Sequence, residues 1–198
     1  RKVSPYPGRF EMRLGGFLDR PVIAYETWGQ LNEAHDNAIL MFTGMSPSAH
    51  ATSSPDDPSS GWWEEMVGPS RPINTRHYFV ICINSLGSCF GSTGPASIDP
   101  ATGRPYGVSF PVLSLEDVAS AGKFVVDQFG IQRLHTVIGP SMGGMTTLAF
   151  ALQFPDMTRN LALLSTAARS LPYSIAMRSL QRELIRRDPA WEGGNYAA

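Results

Sequence analysis

The sequence is poor in the features that mark disulfide-rich, metal-binding and membrane proteins. Its 198 residues include only two cysteines, Cys82 and Cys89. Two cysteines are too few for a disulfide framework, and neither has partners at zinc-binding spacing. No apolar run approaches the roughly 18 residues of a membrane-spanning helix. We therefore expect two reduced core thiols, no metal site and no membrane association.

An excess of charge of one sign is also missing. The 16 Lys and Arg residues are balanced by 17 Asp and Glu residues, and the basic residues form no stripe, so nucleic acid is not an expected partner. The N-terminus lacks the charged and then hydrophobic stretch of a secretion signal, although a start at Arg1 rather than Met leaves room for residues upstream. These features predict a soluble, cytoplasmic protein.

Strand-like and helix-like segments alternate along the chain. The strand-like segments are 11–14, 21–27, 38–43, 78–84, 134–138 and 161–165. The last four are nearly continuous apolar runs, typical of strands covered by helices on both faces. The alternation predicts a mostly parallel sheet with helices on both faces, the plan of an α/β-hydrolase fold, and the first two segments predict an antiparallel edge.

Local signals give the bounds of one helix and a role for two long loops. Residues 115–129 predict a helix, because Ser114 and Asp117 have the spacing of a capping box and Gly130 follows the last apolar residue. The loops 46–70 and 85–106 are too long to be simple connections, so we expect ordered loops over the site. The Trp62-Trp63 pair in the first loop is expected to anchor it on the core.

One short motif indicates a reaction. Residues 139–143 read G-x-S-x-G between a strand-like and a helix-like run, the context of a nucleophile elbow, in which a tight turn exposes a serine. Ser141 is therefore the predicted catalytic nucleophile, at a helix N-terminus that favours developing negative charge. The helix is expected to run to Phe154-Pro155 and to bury Met145, Leu148, Ala149 and Leu152.

The oxyanion hole of such a site uses two backbone amides. One is the amide that follows the nucleophile, here Met142, and the other comes from the loop after the third strand of the fold. Met45 is the predicted second donor, although the loop could also be a plain turn.

The sequence does not contain a complete catalytic triad in the order of this fold, which is Ser, then Asp or Glu, then His. All four histidines precede Ser141: His35, His50, His77 and His135. Three explanations stay open: a missing C-terminal segment carries the acid and base, an unusual base such as His50 acts, or the protein is inactive. The first is favoured because the chain ends without a recognisable final strand or helix, so the sheet looks unfinished.

Several motifs in order resemble the homoserine O-acetyltransferase family of α/β-hydrolase-fold acyltransferases. They are AYETWG at 24–29, GWWE at 61–64, VGP at 67–69, GSTGPAS at 91–97, PATGRPYG at 100–107 and SMGGM at 141–145. TGMSPSAH at 43–50 and SIAMRSLQRE at 174–183 are most similar to the serine O-succinyltransferase branch. Ser48 departs from the aspartate typical of that branch.

The resemblance implies a ping-pong acyl transfer. The co-substrate would be an acyl-CoA, either succinyl-CoA or acetyl-CoA, which acylates Ser141. A hydroxy amino acid would then accept the acyl group, and no bound cofactor is expected. The implied product is O-succinyl-L-serine for cysteine biosynthesis, with homoserine acylation for methionine biosynthesis as the alternative. It also implies a core at 1–168, the start of a helical lid at 169–198, a homodimer through the lid helices, and an acid and base beyond residue 198.

Substrate contacts follow from the same resemblance. A guanidinium can grip the second carboxylate of a succinyl group, and Arg178 is the predicted donor-binding residue, placed beside the apolar stripe of Met177, Leu180 and Leu184. A plain surface arginine is the alternative. The acceptor pocket is expected to be bordered by Pro47, Ser48, Ala49 and His50. A serine hydrolase and an inactive fragment that acts as a binding module are the competing functions.

Overall fold

The computed structural model describes residues 1–194, which form twelve strands and three α-helices. The strands are β1 (Lys2–Pro5), β2 (Arg9–Glu11), β3 (Phe17–Asp19), β4 (Val22–Trp28), β5 (Ala38–Phe42), β6 (Val67–Gly68), β7 (Ile73–Asn74), β8 (Phe79–Ile83), β9 (Ile98–Asp99), β10 (Arg104–Pro105), β11 (Leu134–Pro140) and β12 (Thr158–Leu164). The helices are α1 (Leu115–Asp127), α2 (Met142–Gln153) and α3 (Pro172–Arg187), with short 3₁₀ turns at Gly107–Ser109, Pro155–Met157 and Pro189–Gly194.

Six strands form the central sheet, in the order β1-β4-β8-β5-β11-β12. Strands β8, β5, β11 and β12 run parallel, while β4 pairs antiparallel with both β1 and β8. The predicted mostly parallel sheet is therefore confirmed. The carboxyl ends of the parallel strands lie at one edge of the sheet, which is where ligand sites of such folds are built.

Alternating side chains of β5 and β8 enter two separate cores. Ala38, Leu40 and Phe42 of β5 pack in a cluster with α1 and α2, whereas Ile39 and Met41 pack in a second cluster on the opposite face. The second cluster is closed by residues from 49 to 78 rather than by a helix within the described residues, and it includes both tryptophans of the first long loop. Their rings stack with centroids 4.9 Å apart, which confirms the expected anchoring role.

Local sequence signals predicted most elements well. The capping box is present, because the Asp117 amide donates to Ser114 Oγ and the Ser114 amide donates to the Asp117 carboxylate. Gly130 follows α1 with φ +67°, as a helix-ending glycine should. Strands β4, β5, β8 and β11 coincide with their predicted segments within two residues.

Four structural expectations are wrong in part. The segment at 21–27 forms the antiparallel strand β4 as expected, but its edge partner is β1, which no pattern marked. The segment at 11–14 covers only the end of β2 and the turn of the separate β2–β3 hairpin. Strand β12 begins at Thr158 and is largely exposed, because it is the outermost strand of the sheet within the described residues. Cys82 is buried as expected, but Cys89 is exposed. Helix α2 buries Ala149 of the predicted stripe together with Thr146, Thr147 and Phe150, whereas Met145 and Leu148 are half-buried and Leu152 is 84% exposed.

The threonines of α2 explain why its buried face was misjudged. The hydroxyls of Thr146 and Thr147 donate to the carbonyl oxygens of Met142 and Gly143, at 3.2 and 2.9 Å. Because their polar atoms are satisfied within the helix, these side chains can face the sheet without an unpaired hydroxyl.

The segment after β12 is different in character from the rest. Helix α3 has no buried residue, and the sequence from 169 to 194 follows the sheet as a peripheral segment. The division into a core at 1–168 and a lid at 169–198 stays a prediction, and the last four residues of that lid lie outside the described residues. No helix in residues 1–194 is long and apolar enough to cross a membrane.

Candidate active site

Ser141 occupies the turn between β11 and α2. Strand β11 ends at Pro140, α2 begins at Met142, and Ser141 itself has φ 54° and ψ −119°. Residues that carry a Cβ seldom adopt this backbone conformation, which costs of the order of 1–3 kcal/mol. The residue is nevertheless exposed at the carboxyl edge of the sheet. The predicted nucleophile elbow is thus present in its geometry, with its serine open to solvent.

The glycines around Ser141 are required by close backbone approach. A Cβ at Gly139 would overlap the backbone of Gly143, and a Cβ at Gly143 would overlap the carbonyl oxygens of Phe42 and Thr43. Strand, helix and the end of β5 therefore meet with no room for a methyl group. This contact brings the loop after β5 directly beside the elbow.

The backbone of Ser141 is fixed from both sides. Its amide donates to the Leu164 carbonyl at 2.9 Å, and its carbonyl accepts from the Gly144 amide at 3.1 Å. The Thr166 hydroxyl donates to the same Ser141 carbonyl at 2.6 Å. Sequence reasoning missed Thr166, although a hydroxyl residue just beyond the end of β12 is the signal that could have found it.

Both predicted oxyanion donors lie at this edge. Met142 is the first residue of α2, where an amide has no acceptor within the helix. Met45 is in the turn after β5 and is 57% exposed, and its neighbour Gly44 lies close to Pro140, since a Cβ there would be 3.8 Å from the Pro140 carbonyl oxygen. Both residues thus lie near Ser141, and their role as oxyanion donors stays a prediction.

Three of the four histidines lie at the wrong end of the sheet. His135 is the second residue of β11, six residues before Ser141, which corresponds to about 20 Å along a strand. His35 and His77 precede β5 and β8, at the same amino edge. Only His50 lies on the carboxyl side, in the loop after β5.

The His50 ring is held by two acceptors. Its Nδ1 is 2.8 Å from Glu26 Oε2, and its Nε2 is 2.9 Å from the Ser59 carbonyl oxygen. Burial lowers the pKa of His50, but the hydrogen bonds to Ser59 and Glu26 and the charges of Glu26 and Asp57 outweigh it, so the pKa is raised. A histidine engaged in this way has no free nitrogen to take the Ser141 proton, which contradicts the alternative of His50 as the base.

A cavity of about 380 Å³ adjoins this loop. Its lining includes Ser48 and His50, two of the four residues predicted to border the acceptor pocket, together with Glu26 and Asn84. Ala49 is fully buried in the second core cluster, so its side chain does not line a pocket as expected. A larger open cavity of about 610 Å³ lies between the β2–β3 hairpin and the 99–111 segment, and no predicted site residue lines it.

Asn84 is a further residue that the sequence reasoning missed. It follows β8 and is 1% exposed, and its Oδ1 accepts from the Ala49 amide at 2.6 Å while its Nδ2 donates to the Phe90 carbonyl. A polar residue that ends a fully apolar strand at the carboxyl edge is a usable signal. Asn84 ties the first long loop to the second.

Arg178 does not lie beside a buried edge as predicted. The residues of its expected apolar stripe, Met177, Leu180 and Leu184, are 43%, 59% and 72% exposed, because α3 packs no side chain into the core of the described residues. The guanidinium is exposed and donates to Gln181 Oε1 at 2.9 Å. Within residues 1–194, Arg178 is thus a surface arginine, and its role in donor binding stays a prediction.

Comparison with known proteins places this geometry in a family. A family model described as alpha/beta hydrolase fold matches residues 37–198. The serine O-succinyltransferase of Litchfieldella anticariensis is 56% identical over 197 residues, covering 100% of this chain and 54% of that protein. The L-serine/homoserine O-acetyltransferase of Streptomyces lavendulae is 58% identical over 190 residues, covering 96% and 51%.

A solved structure agrees with these relatives. The crystal structure of homoserine O-acetyltransferase from Bacillus anthracis has a TM-score of 0.91 and 34% identity, covering 99% of this chain and 55% of that one. The chain thus spans about half the length of the curated relatives it matches. The resemblance inferred from the motifs is confirmed, and the chain belongs to the alpha/beta hydrolase fold family.

Proposed function

We propose that the protein is an acyl-CoA-dependent O-acyltransferase that works through an acyl-enzyme on Ser141, with succinyl-CoA as donor and L-serine as acceptor. The observation that carries the proposal is the exposed, strained Ser141 at the N-terminus of α2. Relatives named serine O-succinyltransferase at 56–57% identity give the reaction class.

In the first half-reaction, Ser141 Oγ attacks the thioester carbonyl. A C–O bond forms, the tetrahedral oxyanion accepts hydrogen bonds from the Met45 and Met142 amides, and the C–S bond breaks to release CoA as the thiol. The start of α2 adds a favourable dipole for the negative charge. In the second half-reaction the acceptor hydroxyl attacks the Ser141 ester and regenerates the free serine.

The proposal requires a general base and a carboxylate from outside residues 1–194. His35, His77 and His135 lie at the amino edge, and the ring nitrogens of His50 are engaged. Since the chain spans about half the length of its relatives, we assign the acid and base to the remainder of the full-length protein. The same remainder would complete the lid and the homodimer of a cytoplasmic enzyme.

A second candidate is acetyl transfer to serine or homoserine. It is favoured by the Streptomyces lavendulae relative, whose name gives both acceptors and an acetyl group. The cavity bordered by Ser48 and His50 would hold the acceptor in either case, with Pro47 in the same loop. The two candidates share the Ser141 chemistry and differ only in donor and acceptor.

A matrix of donors and acceptors tests the proposal. The full-length protein is incubated with succinyl-CoA or acetyl-CoA against L-serine, L-homoserine or water, and the esters are separated by chromatography, with Ser141→Ala as the control. We expect O-succinyl-L-serine to form fastest and the control to be inactive. Faster acetyl transfer would select the second candidate, and thioester hydrolysis without ester formation would identify a hydrolase.

Arg178 gives a test of the donor assignment. Because a guanidinium can bind the distal carboxylate of a succinyl group, Arg178→Ala should reduce kcat/KM for succinyl-CoA much more than for acetyl-CoA. Arg182→Ala, on the same exposed helix and hydrogen-bonded to Ser179, is the matched control and should affect neither donor. Equal losses with both donors would remove Arg178 from donor recognition.

A further inference from the structure

The loop that carries the Met45 amide is held by side chains that the reaction itself does not use. We call residues 43–51 the oxyanion loop. Its start is fixed where Phe42 and Thr43 touch Gly143, and its middle is fixed by the Ala49 amide on Asn84 and by the Ser48 carbonyl, which accepts from Trp62 Nε1 at 2.9 Å. Its far end is fixed through the ring of His50.

The partners of the His50 ring define its protonation state from geometry. The Glu26 carboxylate and the Ser59 carbonyl can only accept hydrogen bonds. The Ser59 hydroxyl, also 3.2 Å from Nε2, donates its hydrogen to Asp57 Oδ1 at 2.6 Å, so it too can only accept from the ring. With this arrangement both ring nitrogens donate, and the ring is an imidazolium. The side chains of His50 and Glu26 are only 13% and 12% exposed. A nearly buried imidazolium is thus paired with a nearly buried carboxylate that comes from β4, a different element of the fold.

The other charged groups around the ring differ in sign: Asp57 favours a cationic ring, whereas Arg1 carries a like charge. Asp57 Oδ2 is 3.8 Å from Nδ1, and Asp57 is itself held by the Ser59 amide and hydroxyl. Arg1 lines the same cavity, where its guanidinium donates to the Phe90 carbonyl. Cys82, opposite Glu26 on β8, is a buried thiol whose pKa is raised by burial, so it adds no negative charge.

We propose that Glu26 and His50 are a positioning pair that holds the oxyanion loop, with its Met45 amide, against the elbow through a buried Glu26 carboxylate–His50 imidazolium contact. His50 then borders the acceptor cavity without acting as a base or donating to the substrate, because both of its ring nitrogens are hydrogen-bonded within the protein. The inference rests on the proposed function only for the role of Met45. The pair and its effect on the loop are properties of the fold.

The pair makes the loop sensitive to alkaline pH. The pKa of His50 is raised above its usual value of 6.5, so the contact is fully formed below that value and is lost as pH rises through the raised pKa. Deprotonation leaves one ring nitrogen facing an acceptor without a hydrogen. The loop should therefore loosen, and acyl-enzyme formation should slow, on the alkaline side.

NMR of the full-length protein tests the pair without reference to activity. Imidazole ¹H–¹⁵N spectra, assigned with His50→Gln, should show protons on both ring nitrogens at pH 7 and a pKa above 6.5. Glu26→Gln should lower that pKa, and Asp57→Asn should lower it less, because Asp57 is farther from the ring. His77→Gln, at the amino edge, is the matched control and should leave the pKa of His50 unchanged. A neutral single tautomer at pH 7 in the wild type would overturn the proposal.

The loop and the reaction provide the second readout. In Glu26→Gln, exchange of the Ala49 and His50 amide hydrogens should rise about tenfold or more, since one partner of a nearly buried charged pair is lost. The rate constant of acyl-enzyme formation should fall, while the KM for succinyl-CoA changes little. The alkaline limb of the pH profile of this rate constant should move to lower pH. Unchanged exchange, or an unchanged pH profile in an active enzyme, would contradict the assignment.

These readouts separate the two proposals. If the wild-type ring is charged and the loop opens in Glu26→Gln, but the wild type transfers no acyl group, the positioning pair is supported and the proposed function fails. If the wild type transfers acyl groups and both Glu26→Gln and His50→Gln match it in rate and pH profile, the proposed function survives and the pair is refuted.

Discussion

Replacing Ser141 by glycine should stabilise the protein while abolishing catalysis. The residue has φ 54° and ψ −119°, a conformation that costs about 1–3 kcal/mol for a residue with a Cβ and is nearly free for glycine. Glycine also gains conformational freedom in the unfolded chain, which lowers the free energy of unfolding by roughly 0.4–1 kcal/mol. We therefore expect Ser141→Gly to raise the free energy of unfolding by about 1 kcal/mol, the difference between these opposing terms.

Ser141→Ala is the matched control for this prediction. Alanine keeps the Cβ and therefore the strain, and the Ser141 hydrogen bonds within residues 1–194 use its backbone groups. Its stability should lie within about 0.5 kcal/mol of the wild type. Urea unfolding followed by circular dichroism measures the free energy of unfolding of both variants. In thermal unfolding, the Tm of the glycine variant should rise by about 2–4 °C for a domain of this size. A glycine variant no more stable than the alanine variant would refute the strain assigned to the elbow.

Two further perturbations test how the site is built. Gly143→Ala should destabilise the protein by about 3 kcal/mol, the upper end for overpacking, because the new methyl group meets the carbonyl oxygens of Phe42 and Thr43. Gly44→Ala is the control and should be nearly neutral, because its nearest contact would be at 3.7 Å. Equal unfolding midpoints for the two variants would contradict the close approach at Gly143. Glu64 accepts from the Gly61 and Ser53 amides and the Thr52 hydroxyl, which lower its pKa from 4.5 to about 2. Its stabilisation is therefore present above pH 4.5 and is lost as pH falls towards 2, and Glu64→Gln should flatten the acid limb of a stability profile, whereas an identical limb would exclude Glu64 as its source.

The parts of the fold that short stretches of sequence control were predictable. The elbow follows from glycines two residues on either side of Ser141, because the turn leaves no space for a Cβ at either position. The start of α1 follows from Ser114 and Asp117, because each side chain accepts a hydrogen bond from the other residue's amide. Strands β5 and β8 follow from apolar runs that two cores cover.

The parts that depend on distant contacts were not predictable. Strand β1 is defined by pairing with β4, about twenty residues later, and its own sequence carries no strand pattern. The buried face of α2 depends on hydroxyls that bond back into the helix, which hydrophobicity cannot indicate. Glu26 and His50 are 24 residues apart in the sequence, so nothing local links them.

The acyl-enzyme itself is the most direct test of the account. Full-length protein is mixed with succinyl-CoA in the absence of an acceptor, quenched in acid, and analysed by intact-mass spectrometry and peptide mapping. The account predicts a mass gain of one succinyl group on the peptide that contains Ser141, and its disappearance when L-serine is added. A folded protein that turns over succinyl-CoA and L-serine while Ser141 stays unmodified would contradict it.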